Sequence, residues 1–127
     1  MTEKQLHKQI CNYLHLQYPK VIFTTDASGL RMSIGEAVRV KKLRSSNNFP
    51  DIMILETVKN SDSNFVYCGL FLEVKIKRPY KKNKNEILSA YKNQNEFHKK
   101  LRRRGYFALF VWDFEMAKET IDSYLKL

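Results

Sequence analysis

Acidic residues are scarce in this chain, 13 Asp and Glu among 127 residues, so those set inside apolar segments stand out. Glu73 and Lys75 lie in LFLEVKI (70–76). At the period of two of a strand, Leu70, Leu72, Val74 and Ile76 take one face, and Phe71, Glu73, Lys75 and Lys77 the other. Glu73 and Lys75 are then on the same side, roughly 7 Å apart. Asp51 follows Pro50 and opens the preceding apolar segment. If the two segments pair, Asp51 and Glu73 meet and form a hard, oxygen-rich site for a divalent cation. Two carboxylates that close repel unless a cation or a proton intervenes. The chemistry such a set serves is metal-assisted phosphodiester hydrolysis. Asp51, Glu73 and the backbone carbonyl of Val74 would hold Mg²⁺ or Mn²⁺, which polarises the phosphate and lowers the pKa of a bound water. Lys75 would orient or help deprotonate that water and stabilise the charge developing on the phosphate. Taken singly, each residue has a plainer explanation. Glu-x-Lys on a strand often makes a cross-strand ion pair, and Pro-Asp is an ordinary loop-to-strand junction.

Gln94 adds a second line. In a helix over 86–104, Ala90, Phe97 and Leu101 share a stripe with Gln94 at its centre, flanked by Ile87, Tyr91 and His98. A polar amide on an inward stripe needs a partner. Either it satisfies a core hydrogen bond, or it stands at the edge of the site and positions water, phosphate or Lys75. His98 reads as a core residue or a DNA-backbone contact, because no second His or Cys shares its face. His7 and His15 show no metal spacing.

The elements that must position these residues follow from local signals. A helix is predicted over 3–17, with Thr2 and Gln5 forming a capping box and Leu6, Ile10, Tyr13 and Leu14 an apolar stripe. Tyr18-Pro19 ends it. VIFTT (21–25) reads as a strand, followed by a turn at Ala27-Ser28-Gly29. Residues 30–48 read as either a short basic helix or a mobile loop. Strands over Asp51–Leu55 and Phe65–Lys77, joined by KNSDSN (59–64), form an antiparallel hairpin. The 86–104 helix stops at Gly105. The apolar run YFALFVW (106–112) reads as a central strand buried on both faces. A final helix from 114 turns Ala117, Ile121, Tyr124 and Leu125 inward. The order α-β-β-β-α-β-α describes an α/β (α+β-like) domain with helices over a small mixed sheet.

Charge indicates the partner. Lys and Arg number 23, for a net charge of +10. Three segments, 39–44, 75–84 and 99–104, carry 15 of these cations and no acid. Clusters that converge in a fold can line a groove for a polyphosphate, with strong salt dependence. Nucleic acid is the expected partner, contacted by Lys41, Lys42, Arg44, Lys77, Arg78, Lys81, Lys82, Lys84, Lys99, Lys100, Arg102, Arg103 and Arg104. The 43% hydrophobic and 13% aromatic content excludes a disordered chain. No apolar run approaches the roughly 18 residues needed to cross a bilayer. The N-terminus lacks an apolar signal segment. Cys11 and Cys68 are too few for a disulfide framework and read as reduced, half-buried thiols. The expectation is one domain over 1–127, intracellular and cytoplasmic, with no nucleotide cofactor.

The ordered set FPD (49–51), LFLEVK (70–75), a helix bearing Gln94, and Gly105-Tyr106 opening an apolar strand resembles the PD-(D/E)XK nuclease superfamily. Within it the order is similar to the VRR-NUC type, including its small stand-alone phage and bacterial members. The resemblance covers nearly the whole chain. It implies a restriction-endonuclease-like core and a Mg²⁺-dependent DNA endonuclease, with Asp51, Glu73 and Lys75 matching the core motif. Gln94 matches the glutamine of the following helix, and Glu3 the acid of the first helix, a further metal ligand. Glu3 is equally explained by compensation of the helix dipole. The resemblance also implies a homodimer acting on branched DNA such as Holliday junctions. The family places a glycine just before Pro-Asp; here Asn47-Asn48-Phe49 stands there, and Asn tolerates the left-handed turn. The alternative is a basic nucleic-acid-binding module in which Asp51, Glu73 and Lys75 form only an ion-pair network. An RNA substrate is left open, as nothing in the sequence reads a 2′-hydroxyl.

Overall fold

The computed structural model describes residues 1–26 and 33–127. The turn expected at Ala27-Ser28-Gly29 lies outside the described residues. Helix α1 (Glu3–Gln17) starts at the predicted capping box: the Thr2 hydroxyl accepts from the Gln5 N–H at 3.1 Å, and the Gln5 side chain accepts from the Thr2 N–H at 2.8 Å. It buries Leu6, Ile10 and Leu14. Strand β1 (Phe23–Thr25) follows, then α2 (Ile34–Leu43), which occupies much of the segment that read as helix or loop. Ser33 caps α2, and no residue of this helix is buried.

Strand β2 (Ile52–Ile54) and strand β5 (Gly69–Val74) pair antiparallel, with Ile52 opposite Leu72. Between them the chain forms a small separate ribbon, β3 (Val58–Lys59) with β4 (Val66–Tyr67). The strand expected over 65–77 is therefore two strands, divided at Cys68. The break occurs because Asn64, at φ 59°, and the Asn60–Phe65 backbone bond close a turn whose arms pair with each other. Cys68 is exposed rather than half-buried.

The helix expected from 86 begins later. A single tight turn, Ser89–Tyr91, precedes α3 (Lys92–Arg103). Residues 80–88 form a loop closed by pairing of Tyr80 with Ile87, and Glu86 is held by Lys81 through both backbone (2.7 Å) and side chain (2.8 Å). Ile87 and Ala90 thus drop out of the helical stripe, and Ala90 is exposed. Gly105 ends α3 at φ +93°, a conformation that disfavours any Cβ.

Strand β6 (Tyr106–Val111) runs parallel to β5, and the sheet order is β1-β2-β5-β6. The apolar run at 106–112 is therefore an edge strand, not a central one. Its apolarity comes from helices covering both faces. On one side Val111 joins Leu70, Leu72, Val74, Ile52 and Ile54 against Leu6, Ile10 and Leu14 of α1 and Ala117, Ile121 and Tyr124 of α4 (Phe114–Leu125). On the other, Phe71 and Ala108 pack on Leu101 of α3. The two helices of the first layer are joined at Asp122, whose Oδ1 accepts from the hydroxyls of Tyr13 and Tyr18, both at 2.6 Å. The result is a mixed sheet between helical layers, with β2 and β5 as its interior strands and β5 carrying Glu73 and leading into Lys75.

Candidate active site

The β2–β5 register decides the site. With Ile52 opposite Leu72, Asp51 falls opposite Glu73. The Asp51 Oδ2 accepts from the Val74 N–H at 2.8 Å, so the strand that carries Glu73 also orients the Asp51 carboxylate. Glu73 is buried, 3% exposed, and its Oε1 has no hydrogen-bond partner. Burial first, then hydrogen bonding to Asp51 and the charge of Asp51, push its pKa well above the carboxylate range; Lys75 opposes the shift and Glu3 adds to it. Two carboxylates so placed share a proton or face a cation.

Lys75 lies one residue past β5, and its N–H still donates to the Val111 carbonyl at 2.9 Å. Its buried side chain makes no ion pair with Asp51 or Glu73; the Nζ stands over the Tyr91 ring. Gln94, in the first turn of α3, has a buried Oε1 with no partner. One turn on, His98 is fully buried against Phe110, ring centroids 4.6 Å apart, and Phe110 is in register with Glu73. Both His98 nitrogens lack a partner. Burial, then the charges of Arg102 and Lys75, push His98 down to about 4, so it is neutral at pH 7. Of its two readings, the core residue is the one observed.

The fold therefore brings Asp51, Glu73, Lys75 and His98 together around the end of β5, while Gln94 lies on α3 between Tyr91 and His98. Glu3, exposed in the first turn of α1, reaches Glu73 through its charge. Among the described residues it does not complete a cluster of three metal-binding side chains. Sequence reasoning passed over Tyr91 as the partner of Lys75. Its only signal was an aromatic residue one turn before Gln94.

The basic residues divide into two kinds. Arg44 is committed to Asp26 in a largely buried ion pair at 3.0 Å. Arg78 donates to the carbonyls of Lys81 (3.0 Å) and Lys84 (2.9 Å) and so braces its own loop. Lys81 pairs with Glu86 and Lys99 with Glu96. Arg102 donates to the Ala108 carbonyl at 2.9 Å, and Arg104 to that of Lys100 at 3.4 Å. These six were expected as phosphate contacts; each has a partner within the chain. Lys41, Lys42, Lys77, Lys82, Lys84, Lys100 and Arg103 are exposed.

A mixed four-stranded sheet between helical layers, with an acid pair and a lysine at the end of interior strand β5, is a restriction-endonuclease-like α/β fold. Among solved structures, a chain described as "VRR_NUC domain protein" is similar over 100% of this chain and 90% of that one, with a TM-score of 0.68 and 21% identity. No family model matches the chain, and no curated protein matches it. The fold is that of a VRR-NUC domain, as the motif order led one to expect. Among the described residues no helix is long and apolar enough to cross a membrane.

Proposed function

We propose that the chain is a metal-dependent DNA endonuclease of the PD-(D/E)XK type, selective for branched duplex DNA such as four-way junctions and acting as a homodimer. The observation that carries this reading is the pairing of Asp51 with Glu73 across β2 and β5, with a buried, unpartnered Glu73 oxygen beside it. Asp51, Glu73 and the Val74 carbonyl form an all-oxygen donor set that fits Mg²⁺ or Mn²⁺. A divalent cation held there supplies Lewis-acid activation of the phosphate.

The chain's own residues do the rest. The Val74 N–H fixes the Asp51 carboxylate through its Oδ2. Glu73, held neutral by burial and by Asp51 in the free protein, would give up its proton as a cation binds and then supply negative charge from a buried position, where electrostatic interactions are strong. Lys75 places a cation two residues along the strand and stabilises negative charge as it grows on the phosphate. The unpartnered Gln94 amide orients the attacking water or a phosphate oxygen. The exposed lysines hold the backbone of the substrate without reading sequence, which suits recognition of DNA shape.

The test is cleavage of linear, nicked, flap and four-way DNA, and of an RNA duplex, in Mg²⁺, Mn²⁺ or EDTA. Cutting of branched DNA is expected with metal, none in EDTA, and none by Asp51→Ala or Lys75→Ala. Absence of cutting under every metal, or its persistence in those variants, refutes the reading.

A further inference from the structure

Lys75 is held by a group outside the acid pair. Lys75 is 8% exposed, and its Nζ lies 4.4 Å from the Tyr91 ring centroid. A buried ammonium without a carboxylate partner is unfavourable unless another electron-rich group faces it. The face of an aromatic ring is such a group. Tyr91 is well placed to serve. It ends the tight turn before α3, its N–H donates to the Leu88 carbonyl at 2.9 Å, and its ring leans on Phe110 at 6.3 Å. Phe110 is in turn in register with Glu73. The ring is thus tied to the strand pair that carries the site.

We propose that Tyr91 is a positioning residue whose ring face keeps the Lys75 ammonium off Asp51 and Glu73 and available to the reacting phosphate. This assignment rests on the nuclease reading above and extends it to a side chain outside the acid–lysine set. Without the ring, the flexible four-carbon stem of Lys75 lets Nζ swing onto the nearby carboxylates, where attraction between buried opposite charges is strong. The lysine then neutralises the acid pair instead of the phosphate. Binding of DNA, shared among many surface cations, is little affected.

The test compares the full chain with Tyr91→Phe, which keeps the ring, and Tyr91→Leu, which removes it. Two readouts are used: steady-state cleavage of a four-way junction in Mg²⁺, and NMR of ¹³C-labelled lysine side chains, with Lys75 assigned by Lys75→Arg. In the parent, the Lys75 methylene protons shift upfield under the ring current. The shift persists in Tyr91→Phe and disappears in Tyr91→Leu. The kcat of Tyr91→Leu falls about tenfold, about 1.4 kcal/mol in the barrier, with KM changed by less than about twofold. Tyr91→Phe retains the parent kcat. The proposal is overturned if Tyr91→Leu keeps the parent kcat, if Tyr91→Phe loses as much as Tyr91→Leu, or if no upfield shift exists. Should the parent cut no substrate while the shift follows the ring, the contact stands and the nuclease reading fails.

Discussion

Replacing Glu73 with Gln is expected to stabilise the protein and abolish its chemistry. In the unfolded chain a glutamate ionises near its ordinary pKa of about 4.3. In the fold, burial and the adjoining Asp51 hold Glu73 protonated far above that value. Its contribution to stability is therefore complete below about pH 4.3 and declines as pH rises toward the folded pKa, by about 1.4 kcal/mol per pH unit. At pH 7 the decline amounts to about 3–4 kcal/mol, and it needs only that the folded pKa exceed 7. Gln cannot ionise and keeps nearly the same shape. Its amide, imperfectly paired beside the free Glu73 oxygen position, returns about 1 kcal/mol of that gain. Urea denaturation in EDTA should thus find Glu73→Gln about 2–3 kcal/mol more stable at pH 7, with the advantage shrinking toward pH 4.5. Saturating Mg²⁺ should stabilise the parent through preferential binding to the folded state, and leave the variant unmoved. A variant less stable than the parent at pH 7 in EDTA, or an advantage independent of pH, would show that the acid pair is not a strained element of the fold.

Other outcomes follow from the same structure. Asp122 is depressed: burial alone would raise it, but the hydroxyls of Tyr13 and Tyr18 and the charges of Lys126 and Lys118 outweigh that effect. Its stabilisation is present above the unfolded pKa and lost as pH falls through the lower folded value. Tyr18→Phe should lower stability by about 1–2 kcal/mol at pH 7, and the loss should shrink in strong acid as the charged hydrogen bond becomes a neutral one, as read by urea titrations at several pH values. Lys41→Ala with Lys42→Ala should leave the melting temperature unchanged and flatten the salt dependence of DNA binding by about 0.9 for each phosphate no longer neutralised, measured by fluorescence anisotropy. Arg44→Ala should do the reverse, lowering the melting temperature, because it removes a largely buried ion pair with Asp26. Gly105→Ala should destabilise by about 1–2 kcal/mol in urea, since its φ of +93° brings a Cβ within 3.3 Å of the Cys68 sulfur.

Some of this molecule follows from sequence alone because it depends on neighbours along the chain. The Thr2–Gln5 capping box, the stop at Gly105 and the shared face of Phe71, Glu73 and Lys75 arise from backbone geometry within a few residues. The Asp51–Glu73 approach required only that two adjacent apolar segments pair. Tertiary structure decided the rest, because the deciding groups lie far apart in the chain. The period of residues 106–112 reports that both faces are covered but not which strands lie alongside, so it cannot distinguish the edge position of β6 from a central one. The helix starts only at Lys92 because residues 80–88 close into a loop through the Tyr80–Ile87 pairing, a local alternative that helical periodicity does not report. Arg44 looks like any other surface cation until Asp26 is folded against it. Lys75 looks like the partner of Glu73 until the turn before α3 brings the Tyr91 ring beneath it. Composition reports how much charge the chain carries, whereas only packing assigns each cation to substrate, scaffold or site.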